Sequence, residues 1–127
     1  MILFAGQYWP GANTLYIARA FERCGAIVHI LNDTTIQPDW TSKTGKVARK
    51  LLRRPVIEAE WNQQLLWWTD RFKPDLIYIS NADFCLPSTL ESIRKRAIPM
   101  ACFYHDVQWK NRPGSRFSQN INHFDLV

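Results

Sequence analysis

The segment Ile98-Pro99-Met100-Ala101-Cys102-Phe103-Tyr104-His105-Asp106 is an apolar run that ends in an imidazole and a carboxylate. Histidine titrates near neutral pH, and a carboxylate that orients it makes a base able to deprotonate a hydroxyl. Adjacent strand residues point to opposite faces, so a second reading stands beside the first: His105 hydrogen-bonds backbone while Asp106 caps the following turn. Both readings put the pair at the carboxyl end of a strand, where ligands bind in open α/β sheets.

Two further segments carry chemistry. The stretch Gly6-Gln7-Tyr8-Trp9-Pro10-Gly11-Ala12-Asn13 links an apolar strand to a helical pattern. Its glycines let backbone approach a ligand, and the helix that follows favours an anion at its N-terminus. It is neither a G-x-G-x-x-G fingerprint nor a P-loop, and a plain strand-to-helix connection explains it equally well. Tyr8 and Trp9 add aromatic faces that suit sugars or bases, or that pack on a neighbouring loop. The second segment, Lys43 to Arg54, holds six basic residues and no acid around Val47, Leu51 and Leu52, leaving ten basic against eleven acidic residues elsewhere. The net charge of +5 is therefore concentrated there. Such a helix suits an anionic membrane surface or an anionic acceptor, the alternative being a solvated face. No helix-turn-helix, finger or stacking platform accompanies it, so no specific nucleic acid is expected.

His29, His105 and His123 show no recurrent ligand spacing, and Cys24, Cys85 and Cys102 lack C-x-x-C spacing, so no metal is expected. The odd cysteine count gives no disulfide framework, and Cys102 reads as a small buried hydrophobe. The amino terminus lacks a basic flank and a long apolar stretch, which argues against a signal peptide and for a cytoplasmic location.

The elements that position these groups follow from periodicity. Met1–Ala5 and Ala26–Leu31 read as strands around a helix that Asn13 caps and Gly25 closes. Gly45–Arg54 reads as a basic helix that Pro55 ends, or Pro55 starts the next. Ile57, Trp61, Leu65, Trp68 and Phe72 then recur at steps of four, four, three and four, the stripe of a long amphipathic helix. Lys73-Pro74 stops it. Asp75–Ser80 is a third strand, Asn81-Ala82-Asp83 a polar turn, Pro87 the first position of a helix through Arg96, and Ile98–Tyr104 a fourth strand. Phe117–Asn122 reads as a short helix and Phe124–Val127 as the opening of a fifth strand. Alternating strands and helices predict one α/β domain over residues 1–127, a Rossmann-like three-layer α/β/α arrangement with a mainly parallel, doubly wound sheet of about five strands. Receiver domains share this pattern but need paired carboxylates where this chain has Gly6 and Gln7.

With these pieces in place, the chain resembles the amino-terminal domain of a GT-B glycosyltransferase of the large retaining group called family four. Three stretches carry the likeness: Leu3-Phe4-Ala5-Gly6 through the Pro10-Gly11 loop and helix to Val28-His29-Ile30-Leu31; Lys73-Pro74-Asp75-Leu76-Ile77-Tyr78; and Ile98-Pro99 through His105-Asp106. The loop departs from the family in reading Pro-Gly-Ala, and Gly25-Ala26-Ile27-Val28 lacks the frequent Gly-His-x-Val. The resemblance implies that His105, with Asp106 beside it, meets the donor sugar or lies near the reacting centre. It further implies that Gly11, Ala12 and Asn13 face acceptor and donor phosphates, and that Asn81 and Asp83 line the acceptor side. The nucleotide sugar enters as a substrate, a hydroxyl compound is the acceptor, and no cofactor is implied. Such enzymes bind the nucleotide sugar mainly through a second domain, so the expectation is an amino-terminal half with little or no activity alone. The alternative is a non-catalytic flavodoxin-like module that binds a ligand or partner, using Trp67 and the flank from Trp61 to Phe72.

Overall fold

In the computed structural model, residues 1–6, 8, 10–32, 43–80, 82–104 and 115–127 are described, with backbone alone at 43–46, 48–50, 52–54 and 117. Strand β1 (Ile2–Gly6) is buried along its whole length, as an apolar run in the middle of a parallel sheet must be. It pairs with β2 (Val28–Asn32) on one side and β3 (Leu76–Ser80) on the other, and β4 (Met100–Phe103) adds to β3. All pairs are parallel and the order is β2-β1-β3-β4, an α/β architecture compatible with a Rossmann-like fold.

The register fixes which side chains share a face. Leu3 and Ala5 lie beside Ile77 and Ile79, which lie beside Met100 and Cys102. This face packs against Trp61 and Leu65 of α2 (Lys43–Phe72) and Leu90 and Ile93 of α3 (Pro87–Arg94), forming the main core. On the opposite face Phe4 stacks on Tyr78 at 5.0 Å, and Phe21 of α1 (Asn13–Arg23) meets that tyrosine edge-on at 5.5 Å. Helices thus cover both faces.

Two expectations need correction. Pro55 neither ends nor starts a helix: it sits inside the 30-residue α2. A proline there removes one backbone bond, to the carbonyl of Leu51, on a stretch of the helix where both residues are exposed. Among the described residues the sheet has four strands rather than about five, because the 124–127 segment makes only a single parallel bridge, between Ala101 and Leu126. The Asp125 carboxylate accepts the Met100 N–H at 2.8 Å, so a side chain occupies the first rung that a backbone ladder would use. Helix α4 (Arg116–Asn120) and a 3-10 turn (Ile121–His123) lead into this segment.

Helix α2 is far longer than the strands it crosses. Thirty residues span about 45 Å and a five-residue strand about 17 Å. Its end lies at the amino side of the sheet, where Phe72 stacks on His29 of β2 at 4.2 Å. Near its middle, Trp61 and Asn62 reach Cys85, Phe84 and Leu86, just past the carboxyl end of β3. The residues before Ile57 therefore project beyond the carboxyl edge, and Val47 and Leu51 there are 62% and 72% exposed. No helix among the described residues is long and apolar enough to cross a membrane.

Candidate functional site

After β2 the chain returns through α2 to the far side of β1, so the strand order reverses between β1 and β3. The crevice outside the carboxyl ends of strands at such a reversal is the ligand position of doubly wound sheets. Here the two strand ends press together: a Cβ on Gly6 would lie 2.7 Å from the Ser80 Cβ and 3.2 Å from the Ser80 carbonyl oxygen. Glycine at this point is a packing requirement of the crevice floor. Two residues further, at Tyr8, the chain is held by Asn32 at the end of β2. The Tyr8 N–H donates to Asn32 Oδ1 at 3.1 Å, and Asn32 Nδ2 donates to the Tyr8 carbonyl at 3.2 Å.

The loop reaches α1 through Gly11, whose φ of 97° only glycine adopts freely. The cap itself differs from expectation. Ala12, extended and buried, is the N-cap, and Asn13 is the exposed first residue of the helix. Alanine offers no side-chain acceptor to the first turn, and the Leu15 N–H is taken by the Ala12 carbonyl at 3.1 Å. Gly11, Ala12 and Asn13 thus fall together at the carboxyl edge.

The turn after β3 is clamped from two sides. Asn62 of α2, 4% exposed, donates to the carbonyls of Glu58 at 2.6 Å and Phe84 at 2.7 Å and accepts the Leu86 N–H at 2.8 Å. Asn120 of α4, fully buried, donates to the carbonyls of Ala82 at 3.1 Å and Cys85 at 2.9 Å. Inside this frame the Tyr104 hydroxyl, just past β4, donates to the Asp83 carboxylate. Asp83 is thereby held by the residue immediately before His105. Beneath it the Trp61 indole N–H points at Cys85 Sγ, 3.4 Å away, and burial pushes the Cys85 thiol up to about 12. Arg116 pairs with Glu58 at 3.3 Å at the same level.

The structure therefore brings Gly11, Ala12, Asn13 and Asp83 to one edge of the sheet. Asn81, His105 and Asp106, as well as Trp9, lie outside the described residues. His29 is at the opposite end of the sheet, against Phe72. Among the described residues no group of three or more His, Cys, Asp or Glu side chains is placed to hold a metal ion.

Sequence reasoning did not anticipate Tyr104, Asn62 and Asn120. A signal for Asn62 exists, since Asn62, Leu66 and Thr69 recur at helical spacing beside the apolar stripe. Asn120 has no comparable pattern around it. No family model matches the chain, and neither does any curated protein or solved structure.

Proposed function

We propose that this chain is the amino-terminal, acceptor-side domain of a GT-B glycosyltransferase that moves a sugar from a nucleotide-sugar donor to a hydroxyl acceptor. The observation that carries the reading is the crevice between β1 and β3, with Gly6 against Ser80 on its floor and the N-terminus of α1 at its rim. In this role the N–H groups of Gly11, Ala12 and Asn13 face phosphate oxygens. Asn81 and Asp83 line the acceptor side, and His105 with Asp106 meets the donor sugar. Helix termini and basic side chains stabilise the leaving diphosphate, a task that needs no metal and no cofactor. The domain is then Rossmann-like.

The gene product containing this domain and whatever follows Val127 is expected to turn over a nucleotide sugar. His105→Ala should lower that turnover by about tenfold or more with an unchanged circular dichroism spectrum. A stop codon directly after Val127, or full turnover by the variant, removes the proposal.

The same reading places the protein in the cytoplasm, with the projecting basic half of α2 on an anionic membrane surface that carries the acceptor. Support comes from the exposed Val47 and Leu51 within the basic window Lys43–Arg54. Each basic residue near such a surface contributes about 1 kcal/mol. Substituting Lys46, Arg49, Lys50 and Arg53 by glutamine is expected to weaken binding to vesicles containing anionic lipid by at least about tenfold. Unchanged cosedimentation would exclude the membrane role.

Trp67 favours a second reading. It is 58% exposed and stands edge-on to Trp68 at 6.2 Å, an aromatic surface suited to a partner of a non-catalytic flavodoxin-like module. Absence of nucleotide-sugar turnover in the complete gene product, with binding lost in Trp67→Ala, would favour it.

A further inference from the structure

At the amino-terminal edge of the sheet, opposite the crevice, a cavity of about 350 Å³ opens between the end of α2 and the turn after α3. It is lined by Thr69, Asp70, Lys73, Pro74, Arg96 and Ile98. Its volume is at the lower end for small-molecule sites.

The polar wall is prearranged. Arg96 Nε and one terminal nitrogen donate to the two Asp70 oxygens at 2.6 and 2.9 Å, and the other terminal nitrogen donates to the Ser92 carbonyl at 2.6 Å. The bond from Arg96 holds the Asp70 carboxyl below its ordinary value, so the acid is ionised and already matched. Three of the five guanidinium N–H groups are thus used and two remain. Lys73 has no carboxylate partner among the described residues. With Asp70 matched by Arg96, the lining carries one uncompensated positive charge.

The rim is equally specific. Lys73, directly after α2, and Ala97, in the turn after α3, are left-handed residues other than glycine, at φ 45° and 55°, followed by Pro74 and by Ile98-Pro99. A left-handed residue with a side chain costs about 1–2 kcal/mol where glycine would adopt the conformation freely. The left-handed Lys73 is thus part of the cavity lining. Pro74 is buried and Ile98 half-buried, giving an apolar surface beside the charge.

We infer that this cavity binds a small organic anion, its carboxylate or phosphate group against Lys73 and Arg96 and its apolar body on Pro74 and Ile98. The site is independent of the carboxyl edge and of any reading of that edge. Benzoate and phenyl phosphate, titrated separately into ¹⁵N-labelled protein, test it and distinguish the two anionic groups. The expected result is saturable movement of the Lys73, Arg96 and Ile98 amide signals by at least one probe, with a dissociation constant in the millimolar range or tighter. Inorganic phosphate, which lacks the apolar body, should bind more weakly by about fivefold, and Lys73→Gln should weaken the better probe by about tenfold with the remaining spectrum unchanged. No saturable movement by either probe, equal binding of inorganic phosphate, or unchanged affinity in Lys73→Gln would overturn the inference.

Discussion

Trp61→Ala is expected to remove about 3–5 kcal/mol of folding stability, the cost of emptying a buried tryptophan site. Trp61 is 2% exposed and lies in the core formed by β1, β3, β4, α2 and α3. Its indole N–H is also the partner of Cys85 Sγ. For a domain of 127 residues the loss corresponds to a fall in Tm of about 10–20 °C. Trp61→Phe keeps most of the apolar volume and loses the N–H, so it should lose less than half as much. Urea unfolding followed by circular dichroism separates the two variants. A loss below about 1 kcal/mol for Trp61→Ala would mean that the neighbouring α2 and α3 side chains collapse into the site.

Gly6→Ala carries the second large effect and acts at the crevice itself. The added methyl would lie 2.7 Å from Ser80 Cβ, closer than such atoms approach, and both residues are fixed in paired strands. Overpacking of this kind costs about 1–3 kcal/mol. The strain falls where β1 and β3 end, so the first loop and the 82–86 turn should shift together in an HSQC spectrum. Ser80→Gly removes the opposing Cβ, and in the Gly6→Ala background it should recover part of the loss, a coupling of at least about 0.5 kcal/mol. Strictly additive effects would show that the contact is not the cause.

Much of the scaffold was legible because hydrophobic periodicity is a local property. Ile2–Ala5 and Leu76–Ile79 are apolar on both faces and became the central strands β1 and β3. Ile57, Trp61 and Leu65, spaced by four, all entered the core. Gly25 closed α1 at φ 85°, and Pro87 opened α3. Punctuation misled in two places: Asn13 reads as the cap of α1 where Ala12 takes that position, and Pro55 reads as a boundary, yet the sheet-facing stripe that begins at Ile57 and the solvent around Leu51 let one helix run through it.

For Gly11, Ala12, Asn13 and Asp83 the position at one sheet edge was legible in the sequence, and the partners of Asp83 were not. Sequence alone determined that the chain alternates strands with helices, that its excess charge lies between Lys43 and Arg54, and that the loops after β1 and β3 fall on one edge. Only the tertiary structure decided that β1 and β3 flank the reversal of strand order, because pairing between segments some 70 residues apart leaves no local trace. It alone decided that Asn62 and Asn120 clamp the 82–86 turn, that Tyr104 holds Asp83, and that α2 projects past the crevice. Each of these depends on groups distant in sequence meeting in space, and a buried amide or hydroxyl is specified by the backbone groups it satisfies and not by its neighbours along the chain.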